Sequence, residues 1–226
     1  MSQGTTAAQR FYGRWARLYD LLASATPGLA RLRDVAVDRL ELSRGDTVVE
    51  MGCGTGANFP HLRERVGPAG RVVGVDFTAG MLAQARDRVE REGWRNVHLV
   101  RADAAAFEPR ERVDAVLATF VVGMLDDPGA AVNRWADAVR PGGNVALLDA
   151  GQSGRPYAWP VNQAFRCLVL ASTPGGRSGF EEPPWAVLDD RVAAARRALS
   201  ERSVAVAVAD SEHVLGVVRI TGGRLP

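Results

Sequence analysis

Three carboxylates and a glycine-rich turn are the residues of this chain best suited to do chemistry together. Val48-Val49-Glu50-Met51 runs into Gly52-Cys53-Gly54-Thr55-Gly56-Ala57-Asn58, so two β-branched residues lead to an acid and then to three alternating glycines. Glycine tolerates positive φ and lets a ligand come close to the backbone. A helix starting just after such a turn offers free N–H groups and the positive end of its dipole. The stretch reads as a buried strand, a tight turn and a helix N-terminus, which together make a site of nucleotide size. Asp76 stands 20 residues after Gly56, at the end of Arg71-Val72-Val73-Gly74-Val75. A carboxylate there can accept hydrogen bonds from both hydroxyls of a ribose, or it can cap the next helix. Phe77 and Met81 would then offer an apolar surface to a flat base. Asp103 closes the segment Arg101-Ala102-Asp103-Ala104, where alone it could cap the short turn that follows.

The turn alone leaves the nucleotide open. Gly52, Gly54 and Ala57 satisfy the dinucleotide pattern G-x-G-x-x-G/A, which a nicotinamide cofactor would use. Glu50 points elsewhere, because a carboxylate at the strand's carboxyl end is poorly placed beside a pyrophosphate and well placed beside a cation.

Glu50 with the Gly52, Gly54, Gly56 turn resembles motif I of the class I S-adenosylmethionine (SAM) methyltransferases. That resemblance implies an acid facing the methionine end of SAM, Asp76 on its ribose, and Asp103 and the Ala104 N–H on its adenine. Asp114-Ala115-Val116-Leu117-Ala118-Thr119-Phe120-Val121-Val122 resembles the family's fourth strand, whose end borders the transferred methyl. Arg140-Pro141-Gly142-Gly143-Asn144-Val145 is similar to the family's turn into strand 5 and is read as structural. Phe11-Tyr12-Gly13-Arg14-Trp15-Ala16-Arg17-Leu18-Tyr19-Asp20 resembles the N-terminal helix of the UbiE-related branch, which closes over SAM and brings Tyr19 to it. The implied cofactor shell is completed by Cys53, Asn58, Met81, Thr119 and Phe120. Where quinone enzymes of that branch usually carry Glu and a nearby Ser, this chain has Leu148-Asp149-Ala150-Gly151, which counts against quinone methylation.

Methyl transfer from a sulfonium is an in-line displacement, so proximity, alignment and water exclusion matter most. A base is needed only if the acceptor must lose a proton. The candidates are Asp149 at the end of strand 5, Tyr157 and His61, with Trp159 and Asn162 nearby in sequence. His98 falls within a strand and His213 within a hairpin turn. The expectation is transfer to an O, N or C atom of a small-molecule acceptor, whether lipid-like, quinone-like or a secondary metabolite. Two alternatives stay open: a SAM-binding sensor or partner subunit that transfers nothing, and an NAD-dependent oxidoreductase.

These residues need a sheet to position them. From Thr47 the pattern alternates strand and helix, which predicts a Rossmann-like, seven-stranded, mostly parallel sheet with helices on both faces and an antiparallel C-terminal hairpin strand. Strands are expected at Thr47–Met51, Arg71–Asp76, Asn96–Val100, Val113–Thr119 and Val145–Asp149. Helices are expected from Leu29 to Leu40, after the glycine turn to Val66, from Met81 to Glu92 with Thr78 as cap, and over Pro128–Val139. Beyond strand 5, Val161–Ala171 and Leu188–Ser200 read as helices. Val204–Val208 and Val214–Ile220 read as a hairpin turning at Ser211-Glu212-His213. The whole of 1–226 reads as one domain, with 1–44 as a helical lid and 151–186 as an insertion forming the acceptor pocket.

Composition bounds the rest. A hydrophobic share of 46% and a charged share of 24% are those of an ordinary globular chain. No apolar run approaches the roughly 18–20 residues that span a bilayer, and no signal-peptide layout is present. Cys53 and Cys167 make neither a metal spacing nor a disulfide framework. Every one of the 28 basic residues is arginine, as in chains from GC-rich genomes, and the net charge of +2 gives no basic footprint for nucleic acid. A cytoplasmic protein is expected, with a homodimer left open. The Arg10, Arg14 and Arg17 stripe beside Phe11, Trp15, Leu18 and Leu22 allows peripheral membrane contact without insertion.

Overall fold

The computed structural model describes residues 28–172, 182–204 and 208–226. Seven strands form one sheet: β1 (Thr47–Met51), β2 (Arg71–Asp76), β3 (Val97–Arg101), β4 (Val113–Thr119), β5 (Val139–Ala150), β6 (Ala209–His213) and β7 (Val218–Arg224). Their order across the sheet is β3-β2-β1-β4-β5-β7-β6. β1 to β5 pair in parallel, while β7 runs antiparallel to both β5 and β6. The short β-branched runs that read as strands from sequence are the central ones, buried on both sides.

Alternate residues of those strands feed two separate cores. Val48, Val72, Leu117 and Leu148 meet α1 (Leu29–Asp38), α2 (Phe59–Val66) and α3 (Ala79–Arg91) on one face. Val49, Val75, Val116 and Leu147 meet α4 (Pro128–Ala138) and α6 (Pro184–Arg202) on the other. Between β5 and α6 lies α5 (Trp159–Ser172). The result is the Rossmann-like α/β architecture expected from the alternation, with helices on both faces of the sheet.

Several boundaries differ from expectation, each for a local reason. β3 begins at Val97 because Asn96 is spent on the preceding turn, donating to the carbonyls of Gly67 (3.0 Å) and Gly70 (2.9 Å). β5 is longer than expected and starts at Val139, its pairing with β4 slipping between Val113 and Ala115. Thr78 occupies the N-cap of α3 without a side-chain cap bond; its own N–H donates to Asp76 Oδ1 at 2.8 Å.

The C-terminal hairpin is displaced along the chain. Ser211-Glu212-His213 is not its turn but the end of the edge strand β6, and the turn falls at Val214–Gly216. Pairing against the buried β5 sets the register, since Ile220 must sit opposite Leu148 to reach the core. Gly222 and Gly223 are strand residues. A Cβ on Gly222 would stand 2.7 Å from Arg39 Cβ, and one on Gly223 2.0 Å from Ser203 Oγ. Residues 205–207 of the expected sixth strand lie outside the described residues. So do 1–27, with the expected lid helix and Tyr19, and 173–181 of the expected insertion.

Candidate active site

The parallel pairing sets Glu50 and Met51 beside Leu117 and Ala118 on one side and Gly74 and Val75 on the other. The chain segments leaving β1, β2 and β4 therefore converge, and hydrogen bonds lock them together. Asp76 Oδ2 accepts from the Gly54 N–H at 2.9 Å, tying the end of β2 to the glycine turn. Cys53 N–H donates to Val75 O at 2.9 Å, a second tie between the same segments. Asn58 Nδ2 donates to Glu50 Oε1 at 2.5 Å and to Thr119 Oγ1 at 3.0 Å, so one amide links β1, the turn and the end of β4. Gly52, Gly54 and Gly56 all have positive φ, the conformation for which glycine was expected here. At Gly52 the close approach is to the protein itself, because a Cβ would lie 2.0 Å from Val121 Cγ2.

Glu50 is buried, and its Oε2 has no hydrogen-bond partner. Burial pushes its carboxyl up to about 8, against smaller opposing effects of the Asn58 hydrogen bond and the Arg33 charge. Asn58 Oδ1 is likewise buried and unpartnered. Two acceptor oxygens thus stand orphaned beside the turn, and such groups call for donors. An ammonium group supplies three donors and a positive charge, so the amino end of SAM fits this cradle. Asp76 is also buried, which raises its pKa; backbone N–H groups of Thr78 and Gly54 act in the opposite direction.

Cys53 contributes its backbone to the turn, while its buried thiol faces the core beside Gly74 and is pushed up by burial and by Glu50 and Asp76. Met81 is buried and Phe77 half-buried next to Asp76. Asp103 is exposed, and its Oδ1 accepts from Ala105 N–H at 2.9 Å, so it does cap the short turn. Thr119 and Phe120 are half-buried, and Phe120 turns the chain in the left-handed region at φ 56°.

The base candidates scatter. His61 Nδ1 lies 2.7 Å from Asp34 Oδ1 on α1, in a group that Arg65 joins at 3.2 Å, and not beside Glu50. Asp149 is buried on β5 with an unpartnered Oδ2, its pKa raised well above normal by burial despite the Arg196 charge. Tyr157 is exposed and accepts from Arg155 Nη1 at 3.2 Å; Trp159 is exposed too. Asn162 is spent on Ser153, bonding its N–H and its carbonyl.

Two residues that support the site escaped sequence reasoning. Trp135 Nε1 donates to Ala104 O at 2.8 Å from the buried side, fixing the turn that carries Asp103 and Ala104. Its position on the apolar stripe of α4 signalled burial but not this bond. Val121 fills the space a side chain on Gly52 would need, and no local pattern announced that contact.

Residues 48–143 match the model of a methyltransferase domain family. The chain is 36% identical over 145 residues to a phosphatidylethanolamine N-methyltransferase from Cereibacter sphaeroides, covering 63% of this chain and 68% of that one. It is 35% identical to aklanonic acid methyltransferase DauC of Streptomyces sp. (strain C5), over 54% of each chain. To a 2-phytyl-1,4-naphtoquinone methyltransferase of Thermosynechococcus vestitus it is 36% identical, over 64% of each. The chain thus spans between about half and two thirds of the length of these curated relatives. Among solved structures, a SAM-dependent methyltransferase from Aquifex aeolicus superposes with a TM-score of 0.58 at 18% identity, over 89% of this chain and 94% of that one.

Proposed function

We propose, from the premise that this chain belongs to the class I SAM-dependent methyltransferases, that it methylates a hydrophobic small molecule at the carboxyl ends of β4 and β5. Membership decides the choice that Ala57 left open: the cofactor is SAM and the reaction is methyl transfer. When bound, SAM supplies an electrophilic methyl group on its sulfonium. Glu50 Oε2 and Asn58 Oδ1 receive the amino group, Asp76 holds the ribose, and Phe77 and Met81 face the adenine. Ala104 N–H completes the adenine contact, with Asp103 at its edge. The orphaned pair Glu50 Oε2 and Asn58 Oδ1 is the single observation that carries this assignment.

Thr119 and Phe120 border the acceptor space, and α1, the described part of the expected lid, packs on the sheet. The described residues of 151–186 shape the acceptor pocket; Asp149, whose burial favours its protonated form, is poorly suited to take a proton from the acceptor. Relatives named for a phospholipid, a phytylated quinone and aklanonic acid support a bulky, largely apolar acceptor, while one named for trans-aconitate counts the other way. The Asp149 position disfavours the quinone. No helix among the described residues is long and apolar enough to cross a membrane. We place the protein in the cytoplasm, with peripheral contact where the acceptor resides in a bilayer.

The test uses SAM carrying a labelled methyl group, mixed with enzyme and host-cell extract and then partitioned between organic and aqueous phases. Label in the organic phase is the expected result. Label confined to the aqueous phase would overturn the hydrophobic acceptor.

A further inference from the structure

Among the described residues seven large hydrophobic side chains are exposed, and four of them share one rim: Tyr157 (62%), Trp159 (68%), Val214 (54%) and Leu215 (45%). The rim joins the loop after β5 to the β6–β7 turn. Ser153 Oγ donates to Leu215 O at 2.6 Å, and the Arg155 guanidinium donates to Tyr157 Oη and, at 3.0 Å, to Glu212 Oε2. Gly151 N–H donates to Val217 O at 2.8 Å, anchoring the loop where β5 ends. The rim therefore stands on the same side of the sheet as the glycine turn.

Two features separate this rim from incidental exposure. Val214 and Leu215 both have left-handed backbones, φ 50° and 57°. A β-branched or bulky residue is a genuine outlier there, whereas glycine or asparagine holds such a turn easily. What valine and leucine add at that turn is apolar side chain presented to water. Second, α5 starts at Trp159 and is apolar along much of its length, yet of residues 159–170 only Phe165 is buried.

We propose that this rim is a lipid-bilayer contact, seating the acceptor end of the enzyme on the membrane surface; the idea rests on the hydrophobic-acceptor reading above. Trp and Tyr favour the headgroup boundary, where the ring is partly apolar and partly wet. A second copy of the chain fits the rim poorly. The neighbouring edge strand β6 carries the half-exposed acids Asp210 and Glu212, a composition that resists strand-to-strand pairing.

The experiment is sedimentation of the full chain with phosphatidylcholine–phosphatidylethanolamine vesicles, paired with fluorescence quenching by bromine-labelled acyl chains. The wild type is expected to bind, to keep binding at high salt, and to be quenched; Trp159→Phe removes most of the quenching although the other four tryptophans remain. Trp159→Ser and Leu215→Gly each weaken vesicle binding about tenfold, the order expected for losing one large apolar side chain from the contact. Leu215→Gly relieves the left-handed strain, so its thermal midpoint holds or rises while binding falls, an opposition that misfolding would not produce. Absence of vesicle binding overturns the proposal, as does binding unchanged in both variants. A concentration-dependent dimer abolished by Trp159→Ser, without vesicle binding, assigns the rim to a second copy and overturns it too. Label found only in the aqueous phase of the transfer assay would instead refute the acceptor reading, whatever the vesicles show.

Discussion

Replacing Glu50 by Gln should make the ligand-free protein more stable at neutral and alkaline pH while making it a worse binder of SAM. The free-energy cost lies in holding a carboxylate with an orphaned oxygen in a buried cradle. Burial raises the folded-state pKa from 4.5 to about 8. Below 4.5 the carboxyl is protonated in both folded and unfolded chains, so it contributes no penalty. Between 4.5 and about 8 the unfolded chain ionises and the folded one resists, so stability falls as pH rises; above about 8 the penalty is complete. At about 1.4 kcal/mol per tenfold in proton affinity, the gap amounts to about 5 kcal/mol. Glu50→Gln removes it, because the amide keeps an acceptor for Asn58 and carries no charge. The assay is urea denaturation of both proteins without ligand from pH 4.5 to 9. Titrations uncoupled from Glu50 cancel in the difference, which should grow from near zero to several kcal/mol in favour of the variant. A difference that stays flat with pH would refute the burial argument. SAM should reverse the order, since its ammonium repays the carboxylate. Wild-type binding near pH 7 should therefore release protons, measurable by calorimetry in buffers of different ionisation enthalpy.

Three further substitutions address the rest of the site. Asp76→Ala removes the acceptor for Gly54 N–H and the ribose contact, and SAM binding should weaken by about 1.5–3 kcal/mol; unchanged affinity in calorimetry would remove the ribose assignment. Trp135→Phe leaves Ala104 O without its indole donor, so stability should fall by about 1–2 kcal/mol and amide exchange at Ala104–Ala106 should quicken; unaltered exchange there would mean the bond does not fix that turn. Gly52→Ala places a Cβ against Val121 in a left-handed backbone, and should cost about 2–4 kcal/mol of stability and most SAM binding. Adding Val121→Ala should recover part of the loss, and a double mutant no better than the single would remove Val121 from the account.

What could be read from sequence, and what could not, divides along the range of the interactions involved. β1, β2 and β4 have the bounds expected of them because short, largely apolar runs buried in the sheet are bounded by their own residues, β1 by the glycine turn and β2 by Asp76. Gly52, Gly54 and Gly56 were legible for the same reason, since positive φ is a local demand that glycine answers. The hairpin failed because its register is not local: Ile220 is drawn opposite Leu148, and the polar Ser211-Glu212-His213 becomes strand because an edge tolerates it. Trp135 and Val121 were missed because each acts across more than thirty residues of chain, one on a carbonyl, the other on a missing Cβ. The same distinction separates the two ends of the proposed site. The proposed SAM cradle is built from local motifs whose geometry recurs wherever the spacing recurs. The loop after β5 and the β6–β7 turn take positions that depend on contacts such as Ser153 with Leu215, 62 residues apart. Such surfaces can change from relative to relative without disturbing the sheet, so one fold can serve a phospholipid in one relative and aklanonic acid in another.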